Sequence, residues 1–286
     1  MELVTEEEKQ AYLTDGYIVR EGVLSPEQIE EVKEALSRMV RKYGPDRSLA
    51  DLVPGTAGSI GGGTMVRKRD SQFFIQFEAG EEPRLDDPEA LELQVRKFMY
   101  FADEEPVFRD MLSGESPIAR TASALLEDSI LLFQDMALIK PPKIGATKPW
   151  HQDSAYFSVS PLNAVCGVWI AVDEATVQNG CMHMPRGQHH QGPLKHEHKR
   201  DCEIHVRKLD LSTLVPVPLK PGSALFFSGM IPHETPPNRS AHRRRALQFH
   251  FRASQSTILP GPEYDKLFKD KDGQPASCEY IRRQGV

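Results

Sequence analysis

Cysteine is scarce and scattered in this sequence, with four residues among 286 and no Cys-x-x-Cys spacing. The four positions are Cys166, Cys181, Cys202 and Cys278. Zinc fingers and small secreted folds held by several disulfides need closely spaced cysteines, so both classes are excluded. Scattered cysteines in a chain of this length predict free thiols and a reducing compartment, the cytoplasm.

Long apolar runs and an excess of basic residues are also missing. No stretch approaches the roughly 20 apolar residues that a membrane span needs, and the acidic start, residues 1–8, lacks the basic-then-apolar pattern of a signal peptide. Lysine and arginine number 35 against 41 aspartate and glutamate, a net charge of −6, which argues against a dedicated nucleic-acid surface. The sequence therefore predicts neither a nucleic-acid nor a membrane partner, and it is compatible with a monomer or a dimer.

Helical patterns dominate the first part of the chain, which also holds a glycine-rich stretch. Ser25-Pro26-Glu27-Gln28 is typical of a helix start, and apolar residues recur from Ile29 to Met39 at three- and four-residue steps. A further helical pattern covers Pro88–Leu112. Between them, Gly55–Arg67 predicts a surface or lid loop, because it lacks the Gly-Lys-Ser/Thr ending of a phosphate-binding loop.

From about residue 129 the apolar period changes to two, which is typical of β-strands. The predicted strands are Ile130–Lys140, Val165–Val172, Ser223–Ser228 and Arg245–Arg252, with Glu203–Leu209 as a further candidate. Helices followed by a run of short strands predict an α+β protein, mainly β in its core, with helices packed outside. The length of 286 residues fits one elaborated domain or two smaller ones.

One pair of residues, His151 and Asp153, stands out as the start of a metal site. Residues two apart on an extended chain project to the same side, so an imidazole and a carboxylate can meet one ion. His233, just after an apolar strand, would complete the two-histidine, one-carboxylate triad of ferrous oxygenases. The alternative is ordinary core or surface histidines, because the chain has ten of them. Two others, His196 and His198, lie in a charged run and are expected in a solvated loop.

Arg244 lies eleven residues after His233 and strengthens this interpretation. An iron-chelating dicarboxylate such as 2-oxoglutarate leaves its far carboxylate buried, and arginine can neutralise that carboxylate with two parallel hydrogen bonds. Period two places Arg244 on the strand face opposite the apolar Leu247 and Phe249, and therefore towards a polar cavity. The same face also carries Ala246, Gln248 and His250. A surface salt bridge is the alternative, since two further arginines flank Arg244.

An ordered series of motifs over most of the chain resembles the phytanoyl-CoA dioxygenase family of Fe(II)/2-oxoglutarate-dependent oxygenases. The matching residues are Lys140-Pro141-Pro142, Trp150-His151-Gln152-Asp153, Tyr156-Phe157, Trp169, Asn179-Gly180-Cys181, Pro185-x-Gly187-x-His189, Pro221-Gly222-Ser223, His233, Asn238, Arg244 and His250-Phe251. The resemblance implies a double-stranded β-helix, a cupin-like jelly roll, within a single domain over residues 1–286. It divides the chain into a mostly helical part over 1–128, the β-helix core over 129–255 and a C-terminal tail over 256–286.

The resemblance also implies the cofactors and the residues that hold them. Fe(II) would be bound by His151, Asp153 and His233, and 2-oxoglutarate and O2 would be the cosubstrates. The implied catalytic residues are the three iron ligands and Arg244. Arg244 and the Thr235 hydroxyl would hold the far carboxylate of 2-oxoglutarate. The other implied cosubstrate contacts are Trp169, Gln134, Met136 and Lys97, or its neighbour Arg96.

The implied activity is hydroxylation of an unactivated C–H bond in a small acyl or secondary-metabolite substrate, with release of succinate and CO2. Asp153 favours oxygenation, since halogenating relatives carry a small residue at this position. Desaturation and rearrangement stay open, as does the identity of the substrate. Arg67-Lys68-Arg69 and Lys195–Arg200 are expected to be solvated faces; if they line the mouth of the site, they would favour an anionic substrate.

Two other classes of function remain as alternatives. A cupin-type metal enzyme without 2-oxoglutarate would need the metal but ignore the cosubstrate, and it leaves Arg244 unexplained. A catalytically inactive small-molecule binding module would keep the barrel. Such a module has no physical need for a desolvated guanidinium, because an unpaired buried charge costs free energy.

Overall fold

Two antiparallel sheets form the core of the computed structural model, which describes residues 4–55, 63–199 and 201–284. The strands are β1 (Tyr17–Arg20), β2 (Ala50–Val53), β3 (Met65–Lys68), β4 (Phe74–Phe77), β5 (Val95–Met99), β6 (Ile130–Lys140), β7 (Lys148–His151), β8 (Val159–Ser160), β9 (Val165–Ala171), β10 (Met182–Pro185), β11 (His196–His198), β12 (Cys202–Ile204), β13 (Leu214–Val217), β14 (Ala224–Ser228), β15 (His233–Thr235), β16 (Arg244–Ala253) and β17 (Thr257–Ile258). The α-helices are α1 (Glu6–Asp15), α2 (Pro26–Tyr43), α3 (Pro88–Glu92), α4 (Pro106–Leu112), α5 (Pro117–Leu126), α6 (Ser154–Phe157), α7 (Gly261–Leu267) and α8 (Cys278–Arg283).

The two sheets lie face to face. The larger has nine strands in the order β1-β14-β9-β16-β6-β5-β4-β3-β2, and the smaller has four in the order β13-β10-β15-β7. One apolar cluster joins them, in which Trp169 and Phe227 of the larger sheet meet Met182 and Met184 of the smaller. Two packed antiparallel sheets with this strand order form a double-stranded β-helix, so the predicted jelly roll is confirmed.

The longer helices cover the outer face of the larger sheet. Helix α2 begins at a capping box. The backbone N–H of Gln28 donates to the Ser25 hydroxyl oxygen, and the backbone N–H of Ser25 donates to the side-chain oxygen of Gln28. Its apolar face, including Val32 and Leu36, packs in the same cluster as Phe249 of the sheet. The predicted capped amphipathic helix is confirmed, and it extends to Tyr43.

Strand β16 separates the core from a cavity. Leu247, Phe249 and Phe251 belong to the core under the helices, whereas Arg244 and Gln248 line the cavity on the other side. This alternation was predicted from period two. The bounds of the predicted strands also agree, since β6 matches in full, β9 and β14 differ by one residue at one end, and β16 is longer by one residue at each end. The candidate Glu203–Leu209 is only partly a strand, because β12 ends at Ile204 and a 3-10 turn follows.

The predicted helix over Pro88–Leu112 is wrong at its centre. Helices α3 and α4 occupy its ends, but residues 95–99 form β5, which hydrogen-bonds between β4 and β6. Leu91, Val95 and Phe98 recur at helical steps, which explains the error. The edge of β6 offers hydrogen-bond partners to this segment, and pairing with it buries Val95 and Phe98 in the core while Lys97 lines the cavity.

The predicted glycine-rich loop, Gly55–Arg67, is partly outside the described residues, which resume at Gly63. Its last residues belong to β3, which pairs with β2 and β4, so the loop is shorter than predicted. Gly63 is required by a close approach of the backbone. A Cβ at this position would lie 1.9 Å from the Phe77 carbonyl oxygen.

The prediction of four free thiols is wrong for two of them. Cys202 and Cys278 form a disulfide across a sequence separation of 76 residues, with their Cα atoms 5.8 Å apart. Cys166 and Cys181 are free and buried. Sequence spacing gave no sign of the bond, because only the fold brings α8 beside β12. Among the described residues, no helix combines the length and apolar character needed to cross a membrane.

Truncation of Phe249 tests the division of β16 into a core face and a cavity face. Phe249→Ala removes a fully buried ring, and we expect the free energy of unfolding to fall by about 3–5 kcal/mol in chemical denaturation. Leu131→Ala, at a residue that is 44% exposed, is the control and should change it by about 0.5 kcal/mol or less. A loss below about 1 kcal/mol for Phe249→Ala would contradict the assignment.

Candidate metal centre and adjoining cavity

Two of the predicted metal ligands meet across a strand pair. His151 ends β7 and His233 begins β15, and the two residues are direct partners in the antiparallel register. Their ring centroids are 4.2 Å apart. The Nδ1 atom of His151 lies 2.7 Å from the Pro149 carbonyl oxygen, and that of His233 lies 3.1 Å from the Ile231 carbonyl oxygen. Donation from both Nδ1 atoms leaves both Nε2 atoms free to bind a metal.

Asp153 brings a carboxylate to the same place. Its Oδ1 atom is 3.3 Å from Nε2 of His151 and 3.7 Å from Nε2 of His233. All three ligand atoms lie within 4.8 Å of one another, and all three residues are buried. The backbone of Asp153 is helical, with φ −63° and ψ −38°, so the predicted extended geometry holds for His151 but is wrong for Asp153. The turn from β7 into α6 brings the carboxylate of Asp153 close to the two histidines.

This donor set fits a divalent metal ion. Burial, with repulsion from His151, lowers the pKa of His233 to about 3. Its imidazole is therefore neutral, as metal ligation requires. Two imidazoles and one carboxylate on one side of a site leave other positions open, which is the ligand set of non-haem ferrous centres.

His250 orients the carboxylate of Asp153 by contacting the oxygen that does not face the two histidines. Its Nε2 atom lies 2.8 Å from Oδ2 of Asp153, which leaves Oδ1 directed at the two histidines. The imidazole is fully buried, and the rings of Phe133 and Phe157 pack around it with centroids 6.1 and 4.7 Å away. The alternation along the strand predicts that His250 lies on the same face as Arg244, but the sequence alone indicates no role for it. The period-two pattern was the signal that could have found it.

Gln152, between the two ligands, fixes their segment to neighbouring loops. Its side-chain amide donates to the carbonyl oxygens of Met230 and Gly192 at 2.7 and 3.0 Å. Its backbone N–H donates to Nε2 of His196 at 3.0 Å. The prediction that His196 lies in a solvated loop is wrong, since this residue is 2% exposed and belongs to β11. Burial lowers its pKa to about 3, so it is a neutral acceptor.

A cavity of about 600 Å³ opens beside the three ligands. The structure brings the other predicted site residues to its wall, which includes Gln134, Met136, Thr235, Arg244, Arg96 and Lys97. Trp169 lies behind Arg244, with the guanidinium carbon 5.1 Å from the ring centroid. Within the described ranges, neither predicted basic segment lines the cavity. Lys68 instead pairs with Glu104 at 2.8 Å, so the first of these segments is engaged elsewhere.

Arg244 is a buried cation that has no carboxylate partner among the described residues. It is 1% exposed, Nη1 donates to the Leu138 carbonyl oxygen at 3.3 Å, and Nε has no hydrogen-bond partner in the same part of the chain. Burial lowers its pKa to about 10, so the group remains charged at neutral pH. Both neighbouring arginines have acidic partners: Arg245 pairs with Asp173 at 2.7 Å, and Arg243 pairs with Glu92 at 3.2 Å. The alternative of a surface salt bridge therefore does not apply to Arg244.

Lys97 also faces the cavity. In the part of the chain that the structure describes, no carboxylate oxygen lies within 4.0 Å of its amine. Burial, with repulsion from Lys148 and Arg96, lowers its pKa to about 8. Arg96 pairs with Glu78 at 3.0 Å. Of the two residues named from the sequence, Lys97 is thus the one available to an anion.

Known proteins share this sequence pattern and fold. The family model of phytanoyl-CoA dioxygenase (PhyH) matches residues 12–246. Phytanoyl-CoA dioxygenase domain-containing protein 1 of Danio rerio is 26% identical over 281 residues, 90% of this chain and 93% of that protein. Methylphosphonate hydroxylase of Gimesia maris is 34% identical over 160 residues, 56% of this chain and 58% of that protein. The crystal structure of EvdO2 from Micromonospora carbonacea var. aurantiaca complexed with 2-oxoglutarate has a TM-score of 0.59 at 22% identity, covering 90% of this chain and 93% of that chain.

The likeness to EvdO2 concerns the fold, whereas the family match concerns the sequence. The matched range contains His151, Asp153, His233 and Arg244. It also spans both sheets of the jelly roll up to the first residues of β16. By this match over most of its length, the chain belongs to the phytanoyl-CoA dioxygenase family.

Proposed function

We propose that this protein is an Fe(II)- and 2-oxoglutarate-dependent dioxygenase that hydroxylates an unactivated C–H bond of a small molecule and releases succinate and CO2. The observation that carries the proposal is the unpaired, buried guanidinium of Arg244 in the wall of the cavity that the metal ligands border. A dicarboxylate that chelates the metal would bring its far carboxylate to such a cation. Membership of the family supports the same activity.

In this proposal, His151, Asp153 and His233 hold Fe(II) through Nε2, Oδ1 and Nε2. Bound iron and 2-oxoglutarate supply the oxidation, in which one oxygen atom of O2 enters the substrate and the other enters succinate. His250 keeps Oδ2 of Asp153 occupied, so that Oδ1 stays directed at the metal position.

The remaining predicted residues would bind the cosubstrate. Arg244 would donate to its far carboxylate, with the Thr235 hydroxyl as a second donor and Trp169 as the wall behind them. Lys97, which has no acidic partner among the described residues, would neutralise charge at the other end of 2-oxoglutarate. Gln134 and Met136 are the other proposed contacts of 2-oxoglutarate. These side chains converge on one cavity, and Trp169 packs against Arg244 from its buried side.

The apolar part of the cavity wall would position the substrate and exclude water. Phe74, Phe133 and Phe157 contribute rings to it, and Met99 and Leu138 contribute aliphatic surface. Exclusion of water strengthens the electrostatic contacts of the site and prevents unproductive side reactions. We propose that the whole chain acts as one catalytic domain, since β1 to β5 join the same sheet as the core strands.

The relative that is a methylphosphonate hydroxylase favours an anionic substrate within this activity. The two alternative classes are less well supported. A cupin enzyme without 2-oxoglutarate and an inactive binding module both leave Arg244 buried and charged, with no carboxylate partner among the described residues. Metal-dependent activity that ignores 2-oxoglutarate would favour the first class, and binding of a small molecule without any turnover would favour the second.

Replacement of Arg244 tests the cosubstrate site. Anaerobic addition of Fe(II) and 2-oxoglutarate should produce the visible charge-transfer band of the chelate, and a titration of this band gives the dissociation constant of 2-oxoglutarate. Arg244→Ala should raise that constant at least 30-fold, about 2 kcal/mol, because the far carboxylate loses a desolvated charge partner. Arg243→Ala, outside the cavity, is the matched control and should leave it unchanged. Equal constants for both variants would contradict the assignment.

Replacement of His250 tests its role as a positioning residue. His250→Phe keeps a ring but removes the donor to Asp153, and we expect the dissociation constant of Fe(II) to rise about 10- to 100-fold. His250→Gln retains an N–H donor and should recover part of the affinity. Fe(II) affinity is measured by competition with a chelator, with thermal unfolding as a check on the fold. Equal loss in both variants would indicate a packing role alone.

A further inference from the structure

The cavity carries more positive charge than the proposed cosubstrate neutralises. Six cationic side chains line it: Arg96, Lys97, Lys140, Lys148, Arg244 and Arg282. Among the residues described, the carboxylates that line it are those of Asp153 and Asp201. Because cations beside a cavity with low-dielectric walls attract and concentrate anions, this excess indicates an anionic occupant in addition to 2-oxoglutarate.

Two of the six cations serve the structure itself. Arg96 pairs with the buried carboxylate of Glu78 at 3.0 Å. The amine of Lys140 donates to two backbone carbonyl oxygens, one of them that of Thr235 at 3.2 Å. Neither cation is free for a ligand.

Two further cations, Arg244 and Lys97, are assigned to 2-oxoglutarate in the proposed function. Lys148 and Arg282 remain. Lys148 comes from the start of β7, and Arg282 comes from α8 near the end of the chain. The side chain of Arg282 is 60% exposed and that of Lys148 is 32% exposed, so Arg282 lies at the cavity mouth and Lys148 deeper inside.

Lys148 and Arg282 flank one aromatic ring beside the metal centre. The Lys148 amine is 5.1 Å from the ring centroid of Tyr156 and 3.1 Å from its hydroxyl oxygen. The Arg282 guanidinium carbon is 5.7 Å from the same centroid. The ring of His151 meets that of Tyr156 edge-on at 5.9 Å. Asp201 binds Lys148 at 2.5 Å, and Glu279 binds Arg282 at 2.7 Å. The pair of Arg282 with Glu279 is exposed and therefore weak, and Glu279 is not among the residues that line the cavity, so the guanidinium keeps N–H donors for an anion.

The disulfide links the two parts of the chain that supply these groups. The carbonyl oxygen of Cys202 accepts a hydrogen bond from the Tyr156 hydroxyl at 2.9 Å. Cys278 is the first residue of α8, and Arg282 lies about one turn further along the same helix. The covalent bond therefore holds the helix that carries Arg282 against the segment that orients Tyr156.

We propose that Lys148 and Arg282, positioned by Tyr156 and by the Cys202–Cys278 disulfide, form a subsite for an oxyanion of the substrate. The anion is a carboxylate, phosphate or phosphonate, since each offers oxygen acceptors to an ammonium and a guanidinium. The inference rests on the proposed function and names the substrate class. Because the subsite adjoins His151, the substrate is a small acid whose oxidised carbon lies close to its charged group.

Calorimetric titrations of small anions test the subsite. Propionate and methylphosphonate are titrated anaerobically into the protein loaded with Fe(II) and 2-oxoglutarate, with propanamide as the neutral isostere of propionate. Three variants are compared with the parent protein: Arg282→Gln, Cys278→Ser and, as the matched control, Arg283→Gln. Arg283 neighbours Arg282 on α8 but pairs with Asp265 and does not line the cavity.

We expect at least one of the two anions to bind the parent protein about 10-fold more tightly than propanamide. Arg282→Gln should remove most of this difference, Cys278→Ser should reduce it, and Arg283→Gln should leave it unchanged. The relative affinities of propionate and methylphosphonate identify the head group. Equal binding of the anions and propanamide, or equal effects of Arg282→Gln and Arg283→Gln, would overturn the subsite.

The same samples separate this inference from the proposed function. The visible band of the iron chelate reports 2-oxoglutarate binding without any added probe. A missing band counts against the proposed function, whereas a normal band without selectivity for anions counts against the subsite alone. Selective anion binding that depends on Arg282 supports the subsite whichever result the band gives.

Discussion

The register between β7 and β15 is the constraint on which the candidate active site depends. It places His151 directly opposite His233, and backbone carbonyls turn both imidazoles so that their Nε2 atoms face the same point. Asp153 reaches this point through the turn that follows β7. A shift of one residue would move one histidine to the other face of its strand and separate the ligands. The buried anchors of the intervening Gln152 hold that register in place.

Strand β16 connects stability with the proposed chemistry. Its apolar face fills the core beneath the helices, and its other face presents Arg244 to the cavity and His250 to the carboxylate of Asp153. The rigid core thus fixes the position of a guanidinium whose burial is unfavourable until an anion arrives. An unpaired buried cation reduces the stability of the fold, and binding of a carboxylate would recover that cost.

The sequence was most informative where its periodicity was simple. Period two predicted β6, β9, β14 and β16, and with them the face that carries Arg244. The three metal ligands were predicted from their residue types and from the family resemblance, since β7 and β15 were not among the predicted strands. Periodicity failed where two periods overlap, as at β5, whose apolar residues also fit helical steps. Contacts between segments distant in sequence could not be predicted from periodicity. The burial of His196, the Cys202–Cys278 bond and the approach of α8 to the cavity follow from tertiary packing, for which local patterns carry no signal.

The central claim is that one cavity holds a metal between three side chains and a dicarboxylate against Arg244. A crystal structure of the protein grown anaerobically with Fe(II) and 2-oxoglutarate tests it most directly. We predict iron bound by Nε2 of His151, Oδ1 of Asp153 and Nε2 of His233, with the far carboxylate of 2-oxoglutarate on the Arg244 guanidinium. Iron bound elsewhere, or a cosubstrate whose far carboxylate does not contact Arg244, would contradict the account.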